Sequence, residues 1–175
     1  LALAEKCRVA GPMERTLALA WTRAQVQLRS LGVSPEEAQL FQQLAGSLLG
    51  SDARMRPASE VLCRGALRRE TLWARGLSGD LPIVLARLAD SGGLAMIRQL
   101  LRAHEYWRLQ QLAADMVIVN EKATSYEQDL QSALAALVRA SQARLPPDPA
   151  HTGGQVILLR ADQVSSRELS LLATV

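Results

Sequence analysis

Three short, continuous apolar runs in the second half of the chain constrain its fold most. They are Ile83-Val84-Leu85-Ala86, Met116-Val117-Ile118-Val119 and Val156-Ile157-Leu158-Leu159. Such runs are typical of strands covered on both faces, as in a parallel sheet. Long helical patterns separate them, and strand–helix alternation indicates crossovers that feed a parallel sheet. From about Thr71 onward the sequence therefore predicts a small three-layer α/β unit with a mostly parallel sheet.

The first 70 residues carry helical periodicity instead. Apolar side chains recur at spacings of three and four and form one narrow stripe on a first helix, namely Met13, Leu17, Trp21, Ala24, Leu28 and Leu31. Ser34 and Glu37 have the spacing of a capping box that opens a second helix, whose buried face includes Phe41. A third short helix is expected over 57–64. The stripe has no guaranteed partner within the chain, so we expect it to pack on a neighbouring domain or another copy.

These patterns divide the chain into a helical linker region, residues 1–70, and a small α/β domain, residues 71–175. Two further capping boxes, Thr124 with Glu127 and Ser165 with Glu168, open helices in the second part. Prolines and glycines over residues 145–154 predict an exposed loop. The start at Leu1 in place of methionine indicates an interior piece of a longer protein.

Charge and cysteine content exclude several classes of function. The 175 residues carry a net charge of +3, and their arginines are interspersed with acids, which favours solvated faces and ion pairs over nucleic-acid binding. Cys7 and Cys63 are too few and too far apart for a disulfide framework or a thiolate metal site, so a reducing compartment is expected. No run of about 18 apolar residues is present, so we expect no bilayer span and no direct membrane contact.

The carboxyl ends of the strands are where a site is expected, because α/β sheets usually bind ligands there. The stretch 90–93, Asp-Ser-Gly-Gly, matches neither phosphate-binding glycine motif and predicts a turn that starts a helix, with a nucleotide site as the alternative. Asp115, Glu121 and Asp162 flank two strands, as caps of the strand ends or as paired carboxylates for chemistry on sugars. No catalytic, cofactor-binding or metal-binding residue is predicted.

Five residues are candidates for contact with a neighbouring domain or a sugar: Ser78, Asp80, Arg75, Arg69 and His104. Gly79 joins Ser78 to Asp80 in a turn in which we expect Asp80 to accept backbone N–H groups. Arg75 and Arg69 belong to a basic cluster with Arg64 and Arg68, for which interdomain salt bridges, solvation and a small anion are the alternatives. His104 lies on an apolar helical face and lacks a second histidine four residues on, so a packed histidine is favoured over a zinc ligand.

Several blocks of the chain resemble cyclic β-1,2-glucan synthases. The blocks are AWTRAQVQLR at 20–29, SPEEAQLFQ at 34–42, LSGDLPIVL at 77–85, LLRAHEYWR at 100–108 and LLRADQ at 158–163. The resemblance implies a bacterial inner-membrane glycosyltransferase that builds glucan from UDP-glucose, cyclises it, and carries a region related to glycoside hydrolase family 94 phosphorylases that trims chain length. The chain resembles an interior segment of that last region, on the cytoplasmic side.

The resemblance implies no catalytic residue at any position of this chain. The predicted function is a non-catalytic structural segment between domains of a multidomain synthase, with neighbouring domains of the same polypeptide as partners, β-1,2-glucan as a further candidate partner, and no cofactor. The alternative is a small α/β enzyme or a nucleotide- or sugar-binding module with its site at the carboxyl ends of the strands.

Overall fold

A computed structural model describes residues 10–50, 59, 70–122, 128–144 and 153–172 of the chain. Short 3₁₀ turns over Ser91–Gly93 and Ala161–Gln163 follow two of the strands. The helices and strands are, in chain order, α1 (Ala10–Leu31), α2 (Pro35–Leu49), α3 (Glu70–Trp73), β1 (Ile83–Leu88), α4 (Leu94–Leu109), β2 (Asp115–Asn120), α5 (Gln128–Gln142), β3 (Val156–Arg160) and α6 (Ser166–Leu172).

Local side-chain bonds fix where two of the helices begin. The Glu37 amide donates to Ser34 Oγ at 3.2 Å, and the Ser34 amide donates to the Glu37 carboxylate at 3.0 Å. The same reciprocal pair joins Ser165 and Glu168 before α6. Each box satisfies amides that the first helical turn leaves without a partner, so both predicted capping boxes are confirmed. The third predicted box, at 124 and 127, and the predicted helix at 57–64 lie outside the described residues, apart from residue 59.

The three apolar runs form one parallel sheet in the order β1-β2-β3, as predicted. Ile83 pairs with Asp115 across the first ladder, and Met116 pairs with Val156 across the second. Every residue of the central strand β2 is buried. This strand has a neighbour on each side and helices on both faces, which is why its central residues Met116-Val117-Ile118-Val119 are all apolar.

Helices cover the two faces of the sheet and complete three layers. On one face, α4 and α5 pack their apolar side chains, such as Ile97 and Leu134, with Met116 and Ile118. On the other face, α3 and α6 contribute a second cluster that includes Leu72, Leu171 and Leu172, packed with Val117 and Val119. The alternation of side chains along β2 therefore feeds two separate cores. The predicted α/β class with a parallel sheet and an N-terminal helical region is confirmed.

The helical region is joined to α4 by a third core. Phe41 on α2 is fully buried with Tyr106 and Trp107 on α4, and the Trp107 indole N–H donates to the Phe41 carbonyl oxygen at 2.8 Å. An ion pair between Arg102 and Glu37, with 2.8 Å between NH1 and Oε1, adds to this contact. Helix α2 therefore packs directly on the α/β unit, while the division of the chain at residue 70 stays a prediction.

The apolar stripe on α1 changes environment along the helix. Leu28 and Leu31 near its end are partly buried against the core that contains Phe41. Met13, Leu17 and Trp21 nearer its start are exposed, at 57%, 60% and 68%. The stripe is thus exposed over the first half of α1 and becomes an interior contact near the end of the helix.

The backbones at the starts of β2 and β3 are in close contact. Gly154 has a φ of +82°, and a Cβ there would lie 2.0 Å from the Ala114 carbonyl oxygen. One residue further on, the Gln155 amide donates to Asp115 Oδ1 at 3.0 Å. A side chain at position 154 would force these two segments apart. Gly154 ends the predicted exposed loop 145–154 and is buried, and residues 145–152 of that loop lie outside the described residues.

Candidate functional site

The carboxyl ends of the strands, where a ligand was expected, hold polar groups that bind one another. Asn120 ends β2 almost fully buried, donates to Gln131 Oε1 at 2.9 Å and accepts the Lys122 amide at 3.1 Å. The Arg87 guanidinium lies 2.5 Å from Glu121 Oε1. Arg160 makes a two-bond contact with the Asp162 carboxylate, at 3.0 and 2.6 Å. Glu121 is therefore paired with an arginine of the neighbouring strand β1, and Asp162 with the arginine that ends β3.

Asp115 stands apart from the other two carboxylates. It begins β2, whereas Glu121 follows the last residue of the same strand, so the two lie at opposite ends of the sheet. Asp115 is buried and accepts the Gln155 amide at the start of β3. Of the two predicted alternatives, Asp115 therefore has the structural one, because its carboxylate joins the starts of β2 and β3.

The Asp-Ser-Gly-Gly stretch at 90–93 forms the predicted turn. Asp90 Oδ1 accepts the Gly92 amide at 2.8 Å, and the chain then enters a short 3₁₀ turn before α4. A Cβ at Gly93 would lie 2.9 Å from the Leu88 side chain. A phosphate would need the amide that Asp90 already occupies, so this loop is built as a turn and not as a phosphate cradle.

Ser78, not Asp80, organises the turn before β1. Gly79 has a φ of +76°, the Asp80 amide donates to Ser78 Oγ at 3.1 Å, and the Trp73 indole N–H donates to the Ser78 carbonyl oxygen at 3.2 Å. The Asp80 side chain is exposed and accepts no hydrogen bond from the described residues. The expectation that Asp80 holds backbone amides is therefore wrong among the described residues. The residue two positions after Asp80 is Pro82, which has no N–H to donate, and the turn's hydrogen bond is accepted by the Ser78 hydroxyl.

Arg75 connects the segment after α3 to α6. Its guanidinium lies 3.3 Å from Glu168 Oε1 and donates to the Gln163 carbonyl oxygen at 2.5 Å. Backbone and side-chain hydrogen bonds from Ser165, helped by the charge of Arg75, lower the pKa of Glu168. Arg75 is thus used inside the chain, while Arg64, Arg68 and Arg69 lie outside the described residues.

His104 is a packed histidine, as predicted. It is buried on α4, and its Nε2–H donates to the Ala114 carbonyl oxygen at 2.9 Å. Burial, together with the nearby charge of Arg108, lowers its pKa to about 4, so the ring is neutral at neutral pH. Among the described residues no group of three or more His, Cys, Asp or Glu side chains could hold a metal ion.

The described candidates lie together around one end of the sheet. Ser78 and Asp80 precede β1, Arg75 lies just before them, and His104 reaches the carbonyl that precedes β2. This is the amino end of the strands, opposite the end that α/β sheets usually use for ligands. Among these four, Asp80 combines an exposed side chain with a carboxylate that accepts no hydrogen bond from the described residues.

Sequence reasoning missed the buried acid Glu105. It is 1% exposed, and neither of its carboxylate oxygens accepts a hydrogen bond from the residues that the structure describes. Arg144 NH1 lies 3.5 Å from Oε1. A signal was present, because Glu105 follows Ile97 and Leu101 at steps of four residues and so shares their buried helical face.

Comparisons with known proteins identify one relative and no family model. No protein-family model matches the chain. Cyclic beta-(1,2)-glucan synthase NdvB of Rhizobium meliloti (strain 1021) is 43% identical over 118 residues, which are 67% of this chain and 4% of the relative. The chain therefore spans a small fraction of that relative's length. Within the described ranges, no helix combines the length and apolar character that crossing a membrane requires.

Proposed function

The chain belongs to the cyclic β-1,2-glucan synthase family, and we propose that it is a non-catalytic segment that joins domains within a much longer synthase. The resemblance carried by the sequence blocks is confirmed by the 43% identity. Because the match covers 4% of the relative, the activity of the whole synthase is a property of far more chain than is present here.

The way in which the polar groups are used supports this proposal best. At the carboxyl ends of the strands, Asn120, Glu121 and Asp162 are each bonded to side chains or amides of the chain itself. At the other end, Arg75 holds α6 and His104 holds the segment before β2. Catalytic groups must be free to meet a substrate, whereas these groups stabilise the fold.

The proposed setting follows from the family. We place the segment in the glycosyltransferase that makes cyclic β-1,2-glucan, in its region related to glycoside hydrolase family 94, on the cytoplasmic side of the bacterial inner membrane. Its partners are then the neighbouring domains of the same polypeptide. Packing of α2 on α4 suits such a role, because it gives the helical region a rigid base on the α/β unit.

A sugar-binding module is the second candidate function, and one observation favours it. Asp80 is exposed with a carboxylate that accepts no bond from the described residues, and Trp73 beside the same turn is 62% exposed with its ring held by Ser78. An exposed aromatic ring and a carboxylate are groups that can contact a sugar. This contact would involve β-1,2-glucan at the amino end of the sheet and would need no catalysis.

Two assays on the purified 175-residue chain test these functions. With β-1,2-glucan in the presence and absence of phosphate, we expect neither glucose nor glucose 1-phosphate above the blank, and with UDP-glucose we expect no calorimetric binding. Turnover that disappears in Asp80→Ala would refute the non-catalytic role. Saturable amide shifts around Trp73 and Asp80 on titration with β-1,2-glucan, lost in the same variant without turnover, would establish the sugar-binding function instead.

A further inference from the structure

The outer edge of β1 carries backbone groups that have no partner in the described part of the chain. On its inner edge the strand pairs with β2, and the carbonyl oxygen of Pro82, just before it, accepts the Asp115 amide at 2.9 Å. Backbone groups of a strand point alternately to its two sides, so those of Ile83, Leu85 and Arg87 point away from β2. None of these groups has a hydrogen bond to the residues that the structure describes. An open edge of this kind is a template for a further strand.

The face on which α6 lies decides which edge of the sheet the following chain can reach. Crossovers between parallel strands are almost always right-handed, so a helix on one face carries the chain in one direction and a helix on the other face carries it back. Helices α4 and α5 lie on one face and advance the chain in the order β1-β2-β3. Helix α6 lies on the opposite face. A right-handed crossover through α6 therefore runs back past β2, and the first position in that direction with no strand among the described residues is the outer edge of β1.

The layer of helices on the first face extends toward the same edge. Helix α5 contacts β3, α4 contacts α5, and α2 packs on α4. Among the described strand residues, Val84 of β1 is the one that packs with the core containing Phe41, so α2 lies on the β1 side of α4. Packed helices lie about 8–10 Å apart and paired strands about 4.8 Å apart, so three helices in a row span about twice the width of three strands. The row therefore reaches beyond β1 and offers cover to a further strand.

We propose that the outer edge of β1 pairs, in the synthase, with a parallel strand contributed by the polypeptide that follows α6. This inference rests on the proposed function, under which the segment is part of a much longer chain, and the relative matched over 4% of its length is such a chain. A strand in that position has β1 on one side and helices on its faces, so we expect a short, continuously apolar run. The segment is then joined to the next domain through a shared sheet.

Photocrosslinking in the full-length synthase identifies the occupant of this edge. The photoreactive amino acid p-benzoylphenylalanine replaces Arg87 on β1 in one variant and Arg160 on β3 in the matched control. Both arginines lie near the carboxyl end of an outer strand, pair with an acid, and have 58% and 43% of their side chains exposed. Neighbouring strands lie about 4.8 Å apart, within reach of the probe. We expect position 87 to crosslink to an apolar segment that follows α6 in the same polypeptide, and position 160 not to do so.

Several crosslinking results would overturn the proposal. They are crosslinks from position 87 to residues 1–69, to another copy or to another protein, no crosslink from position 87 to the segment after α6, or an equal or higher yield to that segment from position 160. Mixed isotopic labelling separates crosslinks within one polypeptide from those between copies. Failure here leaves the non-catalytic role intact, because that role is judged by turnover of glucan, which the crosslinks do not measure.

Hydrogen exchange in the unmodified synthase tests the same pairing without any substitution. The amides of Leu85 and Arg87 point to the outer edge of β1, whereas those of Val84 and Ala86 point to β2 and serve as the internal reference. Mass spectrometry with electron-transfer fragmentation resolves the individual amides. We expect the outer pair to exchange within about tenfold of the inner pair, because both belong to hydrogen-bonded ladders. Exchange of the outer pair that is faster than this would show an open edge and overturn the proposal.

Discussion

Replacing Glu105 with methionine should stabilise the fold. The carboxylate is 1% exposed and accepts no hydrogen bond within the described part of the chain. Its ionic partner Arg144 has 56% of its side chain open to water. A buried polar group without a hydrogen bond costs about 1–3 kcal/mol, and more if it is charged. An ion pair with one exposed partner returns at most about 1 kcal/mol because solvent screens it. Methionine has a similar length and no polar atom to satisfy.

The net expectation for Glu105→Met is therefore a gain of about 1–2 kcal/mol in the free energy of unfolding. For a chain of this size, that gain raises Tm by roughly 2–8 °C. Urea unfolding at pH 7 followed by circular dichroism measures the change. Arg144 loses little in the variant, because its guanidinium returns to water.

Arg144→Met is the matched control, and its expected change in the free energy of unfolding has the opposite sign. It removes the cation and leaves the buried carboxylate without a counter-charge, so we expect a loss of up to about 1 kcal/mol, the most that this screened ion pair contributes. A Glu105→Met variant that is less stable than the wild type by 1 kcal/mol or more would show that the carboxylate has a stabilising partner, and would refute the reasoning about magnitude and sign.

Three further predictions concern the amino end of the sheet. Gly154→Ala should lose more than about 3 kcal/mol, because its Cβ meets a carbonyl oxygen at 2.0 Å, whereas Gly76→Ala, with a similar φ of +79° but open space, should lose about 1–2 kcal/mol; equal losses in urea unfolding would contradict the close approach. Ser78→Ala should lose about 1 kcal/mol and Asp80→Ala less than about 0.5 kcal/mol, because the serine hydroxyl accepts the turn's hydrogen bond; the reverse order in thermal melts would restore the turn role to Asp80. The pKa of His104 is about 4 in the fold against an ordinary value near 6.5, so its contribution to stability is complete above pH 6.5 and falls as the pH drops toward 4. Lowering the pH from 7 to 5 should cost the wild type about 2 kcal/mol more than His104→Gln in paired denaturation curves, and identical pH dependence of the two would contradict a buried neutral ring.

Features encoded by neighbouring residues were predictable from the sequence. The capping boxes at Ser34 and Ser165 depend on a serine and a glutamate three residues apart, and both are present in the structure as predicted. The strands depend on short continuous apolar runs, and their positions were predicted to within two residues at each end. The packed state of His104 followed from its place on an apolar helical face.

Features that depend on distant parts of the chain were not predictable. The helical face that Glu105 shares with Ile97 and Leu101 indicates its burial, but its ion pair with Arg144 joins distant parts of the chain, which periodicity does not reveal. Local sequence patterns thus predicted the helices and strands, whereas the contacts of their polar side chains depend on the folded structure.

The parallel register of the sheet has a consequence for how the chain folds. Residue 83 pairs with residue 115, and residue 116 with residue 156, so neither ladder contains a hairpin that could form on its own. Each pairing must wait until a whole crossover closes, and folding dominated by such non-local contacts is slow. Until then the apolar strand that becomes β2 has neither neighbour. We expect refolding to be most prone to aggregation during this interval, and early formation of α4 to shorten it by bringing the ends of the first crossover together.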